Sequence, residues 1–297
     1  MIEARPYRIF NVKLAKRETL SPHFARLTFA GADVHDMTTY APDQRIKLFF
    51  PYPDGRNPDM DDRPDWYTRY KARPISDRAP MRTYTIRQLR ADAGEVDIDF
   101  VMHADGGPAV TWAANAKTGD PLQISAPNRT FTGECGGYEW QPPKGVQRVL
   151  LIADETAVPA VAGILEELAA LPSPPATDAY LEIPTASDQI DVARWEGLNL
   201  RWLAREETGT HVHGALMENA AAGAMKLDLA HEGAASAATD DEELIWDRAS
   251  EGDPRFYAWF AGESASIGRI RKLLAKGGID KRQTTLMGYW KFGRTLD

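Results

Sequence analysis

The segment Arg82-Thr83-Tyr84-Thr85-Ile86-Arg87 sets a guanidinium, a phenol ring and small hydroxyls on one extended stretch. In a strand, Arg82 and Tyr84 share a face. Thr83, Thr85 and Arg87 share the other, so a bulge or bend is needed if all serve one ligand. An arginine can clamp a pyrophosphate bidentately, a tyrosine can pack on a flat ring, and a hydroxyl can donate to a ring nitrogen. A second segment follows: His103-Ala104-Asp105-Gly106-Gly107-Pro108-Ala109-Val110-Thr111-Trp112-Ala113. It reads as strand, paired glycines, proline and helix. Pro108 suits the first helical turn. The glycines admit phosphate oxygens to the backbone, and the first amides of the helix face the anion. His103 and Trp112 can frame a ligand as flat side chains. Together the two segments describe a grip for a ring-bearing pyrophosphate, the chemistry of a flavin dinucleotide.

A third constellation lies downstream. The apolar run Arg148-Val149-Leu150-Leu151-Ile152 enters Ala153-Asp154-Glu155-Thr156-Ala157-Val158-Pro159 and a helix with Val161, Ile164, Leu165 and Leu168 on its apolar face. A dinucleotide-binding fold keeps its glycine-rich turn at this point. Here acidic residues replace the glycines, and charge repulsion disfavours a close phosphate. Asp154 or Glu155 could accept from a nicotinamide amide or a ribose, or cap the helix. Glu182 ends another strand and could accept ribose hydroxyls, which leans towards NADH. Arg205 could hold a 2′-phosphate. Ala261-Gly262-Glu263-Ser264 ends a strand and opens a helix at the carboxyl edge of the sheet.

The elements that must position these residues change character midway. Alternating segments at 7–14, 25–29, 45–50, 82–87 and 96–101, with a return to strand at 122–124, carry the β pattern. They predict a small N-terminal barrel, interrupted by a helix at 108–117. Residues 51–80, rich in Pro, Asp and Arg, read as a long polar loop. Residues 140–145 read as a linker. Beyond it, strands at 148–152, 179–183, 199–203 and 256–261 alternate with helices at 157–170, 214–222 and 266–276, predicting a parallel sheet covered on both faces. Residues 227–253 are Ala-, Asp- and Glu-rich and read as an exposed insertion, with a short helix at 242–246.

The motifs Arg-x-Tyr-Thr-x-Arg (82–87) and His-x-x-Gly-Gly-Pro-Ala-x-x-Trp-Ala (103–113) resemble the siderophore-interacting protein family of ferric-siderophore reductases, within the ferredoxin-reductase-like superfamily. Ala153–Ala160, Ala261-Gly262-Glu263-Ser264 and the terminal Gly288-Tyr289-Trp290-Lys291-x-Gly293 resemble it too, so the likeness spans nearly the whole chain apart from 227–253. The resemblance implies a fold of β plus α/β class. A six-stranded Greek-key β-barrel over 1–140 would bind FAD, followed by a parallel-sheet Rossmann-like domain over 146–297 for NADH or NADPH. It implies FAD contacts from Arg82, Tyr84, Thr85, His103, Gly106, Gly107, Pro108 and Ala109, with Thr111 and Trp112 close by. It also implies nicotinamide contacts around Asp154, Glu155 and Thr156. Lys47, Arg129 and Lys291 would hold the ferric siderophore, chosen from a basic set that also includes Arg45, Arg87 and Arg294. One departure stands out: the family's Gly-Pro-Arg-Gly-Ser/Thr loop is Ala126-Pro127-Asn128-Arg129-Thr130 here, with the basic residue displaced by one.

The reaction implied needs no catalytic acid, base or protein nucleophile. Nicotinamide would reduce the flavin by hydride, and the flavin would pass single electrons to Fe(III). NADH, NADPH and reduced ferredoxin all stay open as donors, and the siderophore is not specified. A general NAD(P)H:flavin or ferredoxin-type oxidoreductase is the alternative, and a non-catalytic siderophore-binding module is another.

Composition bounds the rest. The 297 residues suit two domains. A net charge of −8 disfavours nucleic acid as a partner, so anionic ligands need local basic clusters. One cysteine, Cys135, permits no internal disulfide and no iron–sulfur cluster on this chain alone. The nearest histidine pair, His211-x-His213, lacks metal-ligand spacing and reads as a turn border. The first residues lack a signal-peptide pattern and no apolar run reaches membrane length, so a cytoplasmic monomer is expected. Tyr289 and Trp290 could cover a ligand or anchor the last segment, and the anchor is the preferred reading.

Overall fold

A computed structural model describes residues 5–103, 106–210, 212–227, 245–250 and 253–293. The chain divides into two compact units, one ending at Tyr138 and the other beginning at Glu139.

The first unit is an antiparallel sheet of seven strands: β1 (Tyr7–Ser21), β2 (Phe24–Ala30), β3 (Arg45–Phe49), β4 (Met81–Thr85), β5 (Gln88–Arg90), β6 (Glu95–Val101) and β7 (Pro121–Pro127). Their order is β4-β3-β7-β1-β2-β6-β5. The segment 82–87, expected as one strand, is therefore split. Its first part lies at one edge of the sheet, and the chain resumes at the opposite edge after only Ile86 and Arg87. In a flat sheet those edges would stand six spacings apart, roughly 29 Å. Two linking residues span at most about 11 Å. The sheet must therefore curl until its edges nearly meet. Ile86 N donates to Gln44 O at 2.9 Å on one side, and Arg87 N donates to Asp97 O at 2.9 Å on the other. The bend required for both faces of 82–87 to serve one site is thus the seam of the barrel, which has seven strands rather than six. Phe10, Leu27, Phe29, Leu48, Ile98, Phe100 and Ile124 fill its interior.

A helix, α1 (Trp66–Ala72), interrupts the 51–80 stretch that composition marks as loop. Tyr52, Met60, Tyr70 and Ala79 are buried there against Ile9, Phe49 and Met81, a second small core outside the barrel. Aromatic anchoring outweighs the polar composition of the segment. Next comes α2 (Pro108–Asn115), two residues shorter than expected at its C-terminal end.

The second unit holds β8 (Arg148–Ala153), α3 (Val158–Ala169), β9 (Ala176–Ile183), β10 (Leu198–Ala204), α4 (Arg205–Thr208), α5 (Ala215–Met225), β11 (Trp246–Asp247), β12 (Tyr257–Glu263), α6 (Ser264–Lys276) and β13 (Thr284–Trp290). Strand order is β10-β9-β8-β12-β13-β11. All pairs are parallel except β11–β13. Order runs one way from β8 through β9 to β10 and the other way through β12 to β13. The sheet thus has its topological switch point between β8 and β12, where α/β folds bind ligands. Val149–Ala153 are buried throughout, as a strand covered on both faces requires. Three elements differ from the sequence reading, the first being the short helix α4. The 284–290 segment is a full strand, and Trp246–Asp247 pair with it as a strand rather than ending a helix. Residues 242–244, and most of the 227–253 insertion, lie outside the described residues.

Candidate functional site

On the barrel, β4 pairs with β3 so that Leu48 faces Arg82 and Ile46 faces Tyr84. Facing residues share a side of the sheet. Arg82 and Tyr84 therefore point to the side of the buried Ile46 and Leu48, while Thr83 points outward beside Lys47. Tyr84 packs on Phe100, with ring centroids 4.3 Å apart. Burial pushes its phenol pKa up, so it serves as a neutral ring. Thr85 is buried, opposite Arg45.

The Arg82 guanidinium reaches the start of α2. Its Nη1 donates to Met81 O at 2.7 Å, and a Cβ added at Gly107 would lie 3.4 Å from Nη2. No side chain caps α2, Gly107 occupies the N-cap position, and Pro108 fills the first turn. First-turn amides have no acceptor within their own helix, so Ala109 and Val110 present N–H groups beside a guanidinium. At Gly106 an added Cβ would sit 2.3 Å from Val110 Cβ, so only glycine fits. Thr111 Oγ1 donates to Gly106 O at 3.3 Å, holding the turn. His103 is exposed, and its carbonyl accepts from Gly106 N at 3.1 Å. Trp112, expected beside the ligand, packs on the barrel. Its ring stacks on Phe29 at 6.0 Å and meets Phe50 edge-on at 5.7 Å, fastening α2 to the barrel core. Ala104 and Asp105 lie outside the described residues.

The cradle fits the pyrophosphate of a dinucleotide: one guanidinium, an uncapped helix start, and glycines where side chains would intrude. The fit rests on the Arg82–Gly107 approach and the Gly106 constraint.

The expected cationic residues are distributed over both units. Lys47 Nζ lies 3.4 Å from Thr83 Oγ1 on the outer side of β3. Arg129 is exposed and donates to His35 O at 3.2 Å. The altered loop has its own logic. Asn128 is buried, and its Oδ1 accepts from Thr130 N at 3.2 Å and Thr130 Oγ1 at 3.0 Å, a local turn that Asn is suited to make. Arg87 turns towards Asp99, at 3.8 Å, with its side chain only 9% exposed. Lys291 follows β13 directly and is half-buried. Arg294 and His211 lie outside the described residues.

At the carboxyl edge of the parallel sheet, the acidic residues are engaged with the protein itself. Asp154 Oδ1 accepts from Thr156 N at 2.9 Å and Thr156 Oγ1 at 2.5 Å. Its Oδ2 accepts from Glu263 N and from Trp290 Nε1, both at 2.8 Å. Gly262 makes room for this, since a Cβ there would lie 2.6 Å from Oδ2. Burial, reinforced by the neighbouring Glu155 charge, pushes the Asp154 pKa up to about 7. Glu263 caps α6 by accepting from Ser266 N at 2.9 Å.

Glu155 and Glu182 are fully buried. Arg205 grips Glu155 through Nη2 at 2.7 Å and Nη1 at 2.8 Å, and reaches Glu182 at 3.2 Å. Glu182 also accepts from Gly214, Leu216 and Met217 amides at 2.8 to 3.1 Å, at the start of α5. Burial works against the Arg205 charge, but the bonds to Glu155 and the Glu182 charge outweigh it and raise its pKa. Three residues expected to contact a nucleotide separately are thus brought together as one internal ion cluster. Arg205 bonds to both carboxylates. His213 Nδ1 stands 4.0 Å from Glu155, and its ring meets Trp290 edge-on at 5.2 Å. Sequence reasoning had no signal for this cluster, because its members lie 23 and 50 residues apart.

An antiparallel barrel carrying an arginine–glycine anion cradle, followed by a parallel α/β sheet with its own switch point, defines a two-part protein of β plus α/β class. Residues 13–131 match the siderophore-interacting FAD-binding domain, and residues 146–293 match the siderophore-interacting protein family. The chain belongs to the siderophore-interacting protein family.

It is 30% identical over 205 residues to the NADPH-dependent ferric-chelate reductase of Escherichia coli, covering 68% of this chain and 73% of that one. It is 26% identical over 288 residues to the ferric vibriobactin reductase ViuB of Vibrio cholerae, covering 94% and 88%. An uncharacterized protein of Mycobacterium tuberculosis is 31% identical over 208 residues, an alignment covering 68% of this chain and 66% of that relative's length. A crystal structure of a siderophore utilization protein from T. fusca superposes with a TM-score of 0.70 at 25% identity, covering 100% of this chain and 98% of that one. Among the described residues no helix is long and apolar enough to cross a membrane.

Proposed function

We propose that this protein reduces ferric siderophores, drawing electrons from NADH, NADPH or reduced ferredoxin through FAD. The observation that carries the reading is the meeting of Arg82 with Gly107 at the uncapped start of α2, on a chain of this family. When bound, FAD supplies the means to take two electrons as hydride and release them singly. Oxidation of one nicotinamide then matches reduction of two Fe(III), with one proton released.

The chain's own residues bind and orient. Arg82 and the amides of Ala109 and Val110 hold the pyrophosphate, with Gly106, Gly107 and Pro108 shaping the turn. Tyr84 offers a neutral ring to the flavin, Thr85 a hydroxyl, and His103 and Thr111 border the turn. Trp112 holds α2 in place. Lys47, Arg129 and Lys291 supply positive charge to the substrate in a chain of net charge −8. Asp154, Glu155, Thr156, Glu182, Arg205 and Glu263 form the wall of the switch-point edge at which a nicotinamide donor would dock. With Arg205 committed to Glu155 and Glu182, that wall brings no spare guanidinium to a 2′-phosphate.

We assign the barrel to 1–140 and the nicotinamide domain to 146–297, and expect the protein to act as a cytoplasmic monomer. The test is anaerobic. FAD-loaded protein is mixed with NADH, NADPH or reduced ferredoxin, then with a ferric chelate, and Fe(II) is trapped. Bleaching of the flavin by one donor, followed by Fe(II) on mixing, is expected. A flavin reduced by a donor but not reoxidised by any ferric chelate would overturn the reading.

A further inference from the structure

Ile86 and Arg87, which close the barrel, follow directly on Tyr84 and Thr85, the residues assigned to the flavin ring. A link this short carries little slack, so a displaced Arg87 would draw Thr85 with it. Whatever holds Arg87 therefore bears on where Tyr84 and Thr85 stand.

The segment grips β6 from both sides. On the inner side Tyr84 packs on Phe100, with ring centroids 4.3 Å apart. Successive side chains of a strand point to opposite faces, so Asp99 points outward, opposite Arg26. The Asp99 side chain is fully buried and accepts from Arg26 Nε at 2.7 Å and Nη2 at 2.8 Å. Arg87 reaches the same carboxylate at 3.8 Å. Its amide donates to Asp97 O at 2.9 Å. Thr85, itself buried, lies in the chain between the ring contact and the ion pair. A second cluster shares the outer side of β6. Arg90 grips Asp97 through two bonds of 2.7 Å, and Thr28 Oγ1 donates to Asp97 at 2.7 Å. That cluster involves β5 and leaves the Arg87 side chain alone.

We propose that Asp99 is a positioning residue for the flavin ring. Through Arg87 it fixes the closure of the barrel, and thereby the Tyr84 ring and the Thr85 hydroxyl. The inference rests on the flavin assignment above and deepens it. Arg82 and the start of α2 hold the pyrophosphate. Asp99 should therefore set the redox potential of bound FAD and leave its affinity alone, as a residue supporting those that touch the ligand does.

Midpoint potentials of bound FAD would be measured against a reference dye, with FAD affinity and Tm alongside. The proteins are wild type, Asp99→Asn, Arg87→Gln, the double variant, Arg87→Lys and Arg90→Gln. Asp99→Asn and Arg87→Gln should move the potential in the same direction. The expected size is up to about tenfold in the oxidised-to-reduced ratio, as for one lost hydrogen bond, or about 30 mV for a two-electron couple. The double variant should go no further than either alone, because both act through one contact. Arg87→Lys keeps the charge facing Asp99 and should return the potential towards wild type. Arg90→Gln should lower Tm and leave the potential in place. A direct field effect predicts opposite shifts, since one variant removes a negative charge and the other a positive one. Opposite shifts would refute the proposal, as would unmoved potentials in flavin-loaded variants or an equal shift in Arg90→Gln. Should Asp99→Asn not fold, Arg87→Gln decides, because Arg26 still occupies both Asp99 oxygens there. A wild type that takes up no FAD would sink the flavin reading and this inference with it.

Discussion

Trp290 Nε1 donates a 2.8 Å hydrogen bond to Asp154 Oδ2, tying the end of β13 to the turn after β8. The same oxygen receives the amide of Glu263 at 2.8 Å, so three neighbouring strands of the parallel sheet end on one carboxyl group. The indole is thereby an anchor for the last strand.

Asp154 should make stability fall with rising pH. Its pKa stands at about 7, above the ordinary 3.8, because burial and then Glu155 disfavour the charge. Below the ordinary value both folded and unfolded chains are protonated. Between there and neutrality the unfolded chain ionises first, so the native state loses ground. Above the folded pKa the two ionise alike and the slope vanishes. Urea midpoints at about pH 5 and about pH 8 should differ in the wild type in this direction. Asp154→Asn should be less stable overall and show a smaller difference. An identical pH dependence in the variant would remove Asp154 as its source.

Arg82→Ala should fold and lose FAD. Hydrogen bonds to charged groups contribute about 1.5–3 kcal/mol, which converts to roughly 10- to 100-fold in affinity. Fluorescence titration of the apoprotein with FAD measures it, and circular dichroism establishes that the fold persists. Retention of flavin at wild-type affinity would release Arg82 from its role.

Adjacent glycines should behave differently. In Gly106→Ala the new Cβ would stand 2.3 Å from Val110 Cβ, so the start of α2 must shift. Overpacking of this kind costs about 1–3 kcal/mol, read as a lower Tm. In Gly107→Ala the new atom meets only the far end of Arg82, at 3.4 Å. That variant should keep its Tm and bind FAD more weakly. Equal thermal stability of the two variants would contradict the packing read at this turn.

Arg205→Ala should destabilise the α/β unit while leaving donor preference alone. It strips the guanidinium from two fully buried carboxylates, and breaking a buried pair by removing one partner costs about 3–5 kcal/mol. Adding Glu155→Gln should recover part of the loss. Urea unfolding provides the stability, and the ratio of NADH to NADPH rates provides the preference. A selective collapse of the NADPH rate in a stable variant would show that Arg205 reads the 2′-phosphate after all.

How much of this was legible in the residues alone varies with the range of the interaction. The run at Val149–Ile152 announces a strand buried on both faces, and Gly106-Gly107-Pro108 announces a helix start open to an anion. Those signals are local, set by side-chain period and backbone freedom. The break within 82–87 was foreseeable only as a need for a bend. Its cause, the closing of the barrel between Ile86 and Arg87, depends on strand order. The 66–72 helix was hidden by the polar residues around it, since Trp66 and Tyr70 reveal themselves only against Phe49. The strand Thr284–Trp290 lacks clean alternation because both of its faces are covered.

The sequence by itself determined the two-part architecture, the family and the Gly106-Gly107-Pro108 helix entrance, because each is written in short-range pattern. Tertiary structure alone decided which charges meet one another. Arg205, Glu155 and Glu182 look like three separate residues in the chain and form one ion cluster in the fold. Lys47, Tyr67 and Lys71 look unrelated in the chain and gather at one surface. Coulomb and cation–π energies depend on distance through space, which sequence separation does not encode.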